Sequence, residues 1–341
     1  MSKYTRILSI DGGGIRGILP GQILVTLEKK IQEKAQNPAA LLADYFDFIA
    51  GTSTGGILTC IYLFPDANNP ERPLFSAENA VNLYLQSGSG IFKSNLGKKI
   101  ESLGGLRDEK YPAKTLEKLL LTYLQDVKLS QLLRPCIITS YDIFNRNTHF
   151  FTQHDAKAKP GYDYFLRDVA RATSAAPTYF EPALVKSMSE VSYPLIDGGV
   201  FANNPALCAY AEVRQIFKKE NSEKGITAKD MFMLSIGTGQ VKKPYKYNKA
   251  KGWGSIGWVE PVLDIMMSGA SETIDFQLAQ LFDAADVPQN YIRIVPELGM
   301  ASSDMDDVKP DNLIALKEAG IASAEKNDAV LDKAVEMLFN D

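Results

Sequence analysis

The stretch Phe46-Asp-Phe-Ile-Ala-Gly-Thr-Ser-Thr-Gly-Gly56 is an apolar run that ends in a turn of small residues, and apolar residues resume at Ile57. This order predicts a strand, a tight turn and the start of a helix, with Ser53 at the apex. The pattern Gly-x-Ser-x-Gly describes a nucleophile elbow, whose glycines let the strand and the helix approach each other closely. The alternative is a loop rich in small polar residues that has no catalytic function.

The composition is ordinary for a globular chain, with 341 residues of which 45% are hydrophobic and 23% are charged. This length suits one large α/β domain or two modest ones. The net charge of −4 gives no general attraction to nucleic acid, so we expect no nucleic-acid partner. Three widely spaced cysteines, Cys60, Cys136 and Cys208, argue against a disulfide framework or a zinc site, and we interpret them as reduced core residues.

The first residues lead directly into a predicted strand, and no apolar segment has the length of a signal peptide or of a membrane span. The sequence therefore predicts a cytoplasmic protein. It leaves open export into another cell by a route that reads no amino-terminal signal.

A first strand, at residues 4–10, precedes the glycine loop Asp11-Gly-Gly-Gly-Ile-Arg-Gly17, and a helix follows. The loop matches the Gly-x-Gly-x-x-Gly pattern of dinucleotide sites, but the second strand ends at the serine turn instead of at the acidic residue that such a site needs. Backbone N–H groups in a glycine loop also suit an oxyanion, and we favour this role. Arg16 suits either the binding of a phosphate or carboxylate, or a surface salt bridge.

Strand and helix patterns alternate along the rest of the chain and imply an α/β domain with a mainly parallel sheet. The region 64–110 is more irregular and contains a short predicted helix at about residues 77–85. Further predicted strands are 136–143, 193–197, 231–236 and 291–295, and further predicted helices are 115–124, 164–176, one from about 205, 260–282 and about 311–339.

A basic and aromatic segment follows the strand at 231–236. Between Lys242 and Lys251 the chain has five lysines and two tyrosines, and Trp253 and Trp258 come next. This composition suits contact with a membrane surface. A solvated loop explains the same lysines, and both interpretations stay open.

A serine at an elbow needs a base that accepts its proton. The chain has only two histidines, His149 and His154, and both lie in a polar segment without a glycine turn that would present them. Asp197, in contrast, ends a predicted strand directly before two glycines, where α/β sheets carry active-site residues. Asp197 is therefore a candidate base, with a turn-forming aspartate as the alternative.

Three motifs in this order resemble the patatin-like phospholipases, and plant patatins in particular: residues 11–17, 51–55 and 197–199. The resemblance extends to residues 175–177, 234–239 and 290–293 and so covers nearly the whole chain. It implies a three-layer α/β/α fold with a central, mostly parallel sheet, related to the catalytic domain of cytosolic phospholipase A2. It also implies a single domain, residues 1–341, with a helical tail from about residue 311.

The resemblance implies a serine–aspartate dyad without a catalytic histidine, and no metal or other cofactor, so that calcium independence is expected. The roles that it implies are Ser53 as nucleophile, Asp197 as base, Gly12, Gly13 and Gly14 as the oxyanion loop with the N–H of Thr54 as a further donor, and Arg16 as the contact to the lipid phosphate.

The expected partner is therefore a membrane phospholipid, which the protein would meet peripherally at a membrane surface and from which it would release fatty acids. Three alternatives stay open: an esterase or thioesterase of soluble acyl substrates, a storage or interaction protein with a vestigial site, and a nucleotide-binding module. The sequence assigns no segment to an activating ligand or host factor, and it does not define the oligomeric state.

Overall fold

The computed structural model describes residues 4–91, 111–218, 225–239 and 244–340. Part of the irregular region predicted at 64–110, and Lys242 and Lys243 of the basic segment, lie outside the described residues. The strands are β1 (Thr5–Ile10), β2 (Phe48–Thr52), β3 (Pro65–Asp66), β4 (Asn69–Pro73), β5 (Cys136–Asp142), β6 (Asn147–Thr152), β7 (Ala183–Lys186), β8 (Ser192–Asp197), β9 (Met231–Ile236) and β10 (Tyr291–Ile294).

The α-helices of the described residues alternate with these strands. They are α1 (Ile18–Ala35), α2 (Leu42–Tyr45), α3 (Thr54–Tyr62), α4 (Ala77–Ile91), α5 (Ala113–Leu124), α6 (Gln153–Ala158), α7 (Leu166–Thr173), α8 (Gly199–Ala202), α9 (Ala206–Ile216), α10 (Tyr247–Ala250), α11 (Gly254–Asp283), α12 (Pro310–Lys326) and α13 (Asp328–Leu338). In the part of the chain that the structure describes, no helix combines the length and the apolar character that a membrane crossing requires.

A sheet of eight strands forms the centre of the fold, in the order β10-β9-β1-β2-β5-β8-β7, with β6 also paired to β5. The five strands from β10 to β5 are parallel to one another. The strands β6, β7 and β8 add to this sheet in antiparallel pairs. The central, mostly parallel sheet that the sequence predicts is thus confirmed.

Side chains of successive strand residues enter two separate apolar clusters, one on each face of the sheet. Ile7 and Phe48 pack in one cluster with α9 and α11. Leu8 and Ile49 pack in the other cluster with α1, α3 and α12. Because neighbouring residues of a strand point to opposite faces, apolar runs such as β1 require helices on both sides, which produces three layers.

Four helices differ in length from their predictions, and α11 begins at Gly254, six residues before the predicted start at about residue 260. The helix predicted at 77–85 continues to Ile91, and within this extension Gly88 packs so closely against Ile15 that a side chain at residue 88 would collide with it. The helix predicted at 164–176 is shorter, since Phe165 is extended and the helix ends at Thr173. The predicted tail helix is two helices, which meet at Asn327.

All three cysteines carry free thiols. Cys60 and Cys136 are buried in the core, as predicted, whereas Cys208 is partly exposed on α9. The prediction of a core position is therefore correct for two of the three.

Candidate active site

Ser53 lies between the last residue of β2 and the first residue of α3. Its backbone has φ 54° and ψ −120°, a combination that residues with a side chain rarely adopt. A Cβ atom at Gly55 would lie 2.1 Å from the carbonyl oxygen of Ile10, so only glycine permits this approach of helix and strand. The Ser53 N–H group donates to Oγ1 of Thr173 at 2.8 Å. The predicted strand, turn and helix are confirmed, and the turn is strained at its serine.

Asp197 reaches the serine through the pairing of β5. The first part of β5 pairs with β2, where Thr139 is opposite Thr52. The next residue of β5, Ser140, is opposite Asp197 of the antiparallel strand β8. The carboxyl ends of β2 and β8 therefore lie at neighbouring residues of β5, although the two strands belong to different parts of the chain.

The hydroxyl of Ser53 faces the carboxylate of Asp197 and favours its ionised form. The Gly199 N–H group donates to Oδ1 of the same carboxylate at 2.7 Å. Both side chains are buried, with Ser53 7% and Asp197 3% exposed. Burial raises the pKa of Asp197 to about 7, and the Ser53 hydroxyl and the Gly199 N–H group oppose this shift. The carboxylate is thus poised to exchange a proton near neutral pH.

The glycine loop after β1 lies directly beside Ser53. A Cβ atom at Gly12 would lie 3.2 Å from Cβ of Ser53. The Gly12 N–H group donates to the backbone oxygen of Asn203 at 3.0 Å, so it is already engaged. Within the described residues, the N–H groups of Gly13 and Gly14 have no acceptor. The Thr54 N–H group, as the first of α3, has no partner inside the helix.

Arg16 extends from the same loop into the wall of a cavity. Its guanidinium donates to the carbonyl oxygen of Gly239 at 3.2 Å and, weakly, to that of Gly13 at 3.4 Å. Among the described residues it forms no ion pair, so the surface salt bridge considered from the sequence is not found. Arg16 brings a half-buried positive charge to the site.

A buried ion pair between Asp11 and Arg293 lies behind the glycine loop. Nη1 of Arg293 is 2.8 Å from Oδ1 of Asp11 and Nη2 is 2.5 Å from Oδ2, a bidentate arrangement. Nη1 also donates to Oγ of Ser235 at 2.8 Å. Both residues belong to motifs of the sequence, but their pairing is not predictable from the sequence, because they are far apart in the chain. The pair fixes the start of the loop to β9 and β10.

Five of the seven proposed site residues line a cavity of about 720 Å³, and Gly12 and Gly13 do not. Ser53, Asp197, Gly14 and Arg16 contribute to its polar part. Most of its remaining wall is apolar and includes Ile57, Leu116, Phe180, Leu263, Met267 and Val295. A cavity of this size and character accommodates an apolar chain next to a reacting polar group.

Neither histidine lines this cavity. The ring of His149 packs edge-to-face against Phe151 and Tyr164, and burial lowers the pKa of His149 to about 4. The expectation that no histidine serves the serine agrees with this geometry.

His154 lies in a small cluster outside the cavity. Its Nε2 atom is 2.9 Å from Oε1 of Glu212 and 3.7 Å from Oδ2 of Asp155. These three side chains are the one group in the described parts of the chain whose spacing suits a metal ion. Asp155 already accepts a hydrogen bond from Thr152 at 2.6 Å, and we assign no function to the cluster.

Comparison with known proteins places these motifs in one family. A sequence model of the Patatin-like phospholipase family matches residues 8–210. The chain is 39% identical to "Patatin-like protein 2" of Arabidopsis thaliana, over 92% of this chain and 81% of that protein. It is 35% identical to "Patatin-like protein 2" of Oryza sativa subsp. indica, over 97% and 86%. It is 33% identical to "Probable inactive patatin-3-Kuras 1" of Solanum tuberosum, over 94% and 86%.

Proposed function

Because this chain belongs to the patatin-like phospholipase family, we propose that it is a serine acyl hydrolase that releases fatty acids from membrane phospholipids. The reaction is of the phospholipase A or lysophospholipase type. The observation that carries the proposal is that buried Ser53 and Asp197 lie together in the wall of one largely apolar cavity.

In the first step the Asp197 carboxylate accepts the proton of Ser53 while Oγ attacks the ester carbonyl carbon. The raised pKa of Asp197, about 7, makes the carboxylate a stronger base than an exposed aspartate. The serine needs no histidine relay, because its hydroxyl lies within hydrogen-bonding reach of the carboxylate itself.

The negative charge of the tetrahedral intermediate is stabilised by backbone N–H groups. Gly13, Gly14 and Thr54 supply the donors, since their N–H groups have no acceptor in the described chain. Gly12 belongs to the same loop but acts as its anchor, through its N–H bond to Asn203. One well-placed donor of this kind contributes about 3 to 4 kcal/mol to catalysis.

The intermediate then collapses to an acyl-enzyme. The bond between the carbonyl carbon and the glycerol oxygen breaks, and that oxygen takes the proton from Asp197 as the lysolipid leaves. Water, activated by Asp197, attacks the acyl carbon and releases the fatty acid, while Ser53 recovers its proton. Arg16 contacts the phosphate of the lipid. The chain supplies nucleophile, base and oxyanion donors, so the reaction needs no calcium.

Fatty-acid release from phosphatidylcholine vesicles, with and without a chelator, tests this proposal. We expect Ser53→Ala and Asp197→Asn to lower the rate by roughly 10³-fold or more, and the chelator to have no effect. Ser174→Ala and Asp304→Asn are matched controls, because both residues line the same cavity outside the proposed dyad. Comparable rates in wild-type and Ser53→Ala protein would refute the dyad, and loss of activity on chelation would refute the metal-free mechanism.

Two alternatives differ from this proposal, one in the substrate that is hydrolysed and the other in the reaction with a chemical probe. An esterase or thioesterase of soluble acyl compounds would hydrolyse monomeric esters and leave vesicles intact. The second alternative is a vestigial site, and it is tested because the name of the Solanum tuberosum relative describes that protein as probably inactive. A vestigial site would not react with an acyl-phosphonate probe. Labelling of wild-type protein, abolished in Ser53→Ala, would exclude it.

A further inference from the structure

The first half of α11 exposes an apolar face to solvent. We call it the α11 face and define it by Trp258, Val259, Val262, Ile265 and Met266, each between 40% and 48% exposed. The spacing of these residues follows the helical repeat, so they lie along one side of the helix. A continuous group of large exposed apolar side chains commonly marks an interaction surface.

The α11 face continues into the candidate active site. Ile265 and Met266 are exposed and also line the cavity that contains Ser53 and Asp197. On the inner side of the same helix, Met267 lines that cavity. An apolar path therefore leads from solvent across the rim to the proposed dyad.

Lysines border the α11 face on the segment that precedes the helix. Lys246, Lys249 and Lys251 are exposed, and none forms an ion pair within the described parts of the chain. From Lys242 to Val259 the sequence has five lysines and no acidic residue, although the whole chain has a net charge of −4. The positive charge is thus concentrated where the apolar side chains are exposed.

Three aromatic rings connect the basic segment to the helix. Tyr245 packs edge-to-face against Trp253 at 5.2 Å, and Trp253 packs in the same way against Trp258 at 4.9 Å. The hydroxyl of Tyr245 donates to Oδ2 of Asp264 at 2.9 Å, so this carboxylate of the helix is engaged. Tyrosine and tryptophan favour the boundary between lipid and water, since each has an apolar ring and a polar group.

We propose that the α11 face and these lysines dock onto the surface of a bilayer that contains anionic phospholipids. The apolar side chains enter the boundary between headgroups and acyl chains, and the lysines meet the anionic headgroups. Docking in this orientation places the rim of the cavity against the bilayer, so a lipid enters without crossing water. This inference rests on the proposed function, because it describes how that site meets its substrate.

Intrinsic fluorescence reports the docking directly. The chain has two tryptophans: Trp258 belongs to the α11 face, and Trp253 packs against Trp258. Ser53→Ala protein, which leaves the lipid intact, is mixed with vesicles of phosphatidylcholine alone or with phosphatidylglycerol. We expect a blue shift, and quenching by brominated acyl chains, that are clearly larger with the anionic vesicles than with phosphatidylcholine alone. Sedimentation with vesicles without this quenching would show that another surface binds, and would overturn the proposal.

Charge and apolar variants test the two parts of the surface separately. Replacing Lys246, Lys249 and Lys251 by glutamate should weaken binding to anionic vesicles by at least about tenfold. Val262→Asp should reduce binding to a similar extent. The matched controls are Lys29→Glu, Lys34→Glu and Lys333→Glu combined, on helices that do not line the cavity, and Leu184→Asp, at a residue that is 75% exposed on β7.

The rates on two substrates distinguish failure of this inference from failure of the proposed function. Docking variants should retain wild-type rates on a monomeric ester and lose activity on vesicles. If they keep full activity on vesicles while Ser53→Ala is inactive, the docking surface is wrong and the function stands. If Val262→Asp abolishes a dimer seen by sedimentation equilibrium without affecting vesicle binding, the α11 face contacts a second copy and the inference is also overturned.

Discussion

Ser53 combines backbone strain, burial and a position beside the carboxylate of Asp197. Its left-handed backbone is held by the N–H bond to Thr173, whose hydroxyl in turn donates to the backbone oxygen of Thr139 at 2.7 Å. Strain of this kind persists only where the surrounding structure enforces it, and such residues concentrate at functional sites. The serine is therefore preorganised before any substrate binds.

The proposed base predicts a defined pH dependence. Asp197 must be ionised to accept a proton, and burial raises its pKa to about 7. Activity should therefore be low in acid and rise with pH through a midpoint near 7. The measurement is kcat/KM on a monomeric ester, which avoids effects of pH on vesicle binding. A flat profile in this range would contradict the assignment of Asp197.

A charged substitution at Asn203 should shift the midpoint of the pH profile. Its buried Oδ1 atom has no hydrogen-bond partner and would lie 3.4 Å from a Cβ atom at Gly199, beside the Asp197 turn. In Asn203→Asp, a second carboxylate near Asp197 should disfavour ionisation and shift the midpoint upward by about one pH unit. Asn203→Ala adds no charge and should keep the wild-type midpoint even if its rate is lower. Equal midpoints for both variants would argue against electrostatic coupling.

At the scale of elements, β5 and β9 decide where the functional loops meet. The strand β5 pairs first with β2 and then with β8, so one strand aligns the serine turn with the aspartate turn. The strand β9 lies between β1 and β10 and lets Arg293 reach Asp11. The glycine loop thus begins from a residue whose charge is neutralised within the sheet.

Replacing one partner of this ion pair should lower the free energy of unfolding more than replacing both partners. Arg293→Met leaves Asp11 buried without a partner, and the free energy of unfolding should fall by about 3 to 5 kcal/mol. Asp11→Asn combined with Arg293→Met should lose less, because no uncompensated charge remains. Urea denaturation of the single and double variants measures the difference. A double variant that is less stable than Arg293→Met would disprove this explanation.

At the scale of the whole molecule, the carboxyl-terminal helices belong to the main core. Leu316 of α12 and Leu331 of α13 are fully buried in the cluster that also contains residues of α1. Nη1 of Arg6 donates to the backbone oxygen of Leu338 at 3.2 Å. Lys30 of α1 contacts Asp328 at 2.8 Å. These contacts support the proposal of a single domain that includes the helical tail.

Removal of that tail should therefore prevent folding. A chain that ends at Val308 lacks α12 and α13 and leaves the apolar side of α1 uncovered, so we expect aggregation or loss of cooperative unfolding. The complete chain should unfold in one transition by calorimetry and circular dichroism. Lys30→Met is the control, because a partly exposed ion pair contributes only about 0 to 1 kcal/mol. A truncated chain that unfolds cooperatively would show that the tail is a separate unit.

Features that depend on neighbouring residues are predictable from the amino-acid sequence alone. The serine turn and its flanking strand and helix follow from a local pattern of apolar residues and glycines. The scarcity of histidines favours Asp197 as the candidate base. The family and the mostly parallel sheet were also predictable, because the motifs occur in a recognisable order along the chain.

The contacts between distant segments follow from the three-dimensional fold and from no local pattern. The split pairing of β5, the ion pair of Asp11 with Arg293 and the engagement of the Gly12 N–H group join residues that are far apart in sequence. The position of the α11 face at the cavity rim likewise required the packed helix. Local patterns fix the backbone of a segment, whereas strand register and packing fix its partners, and the proposed chemistry depends on those partners.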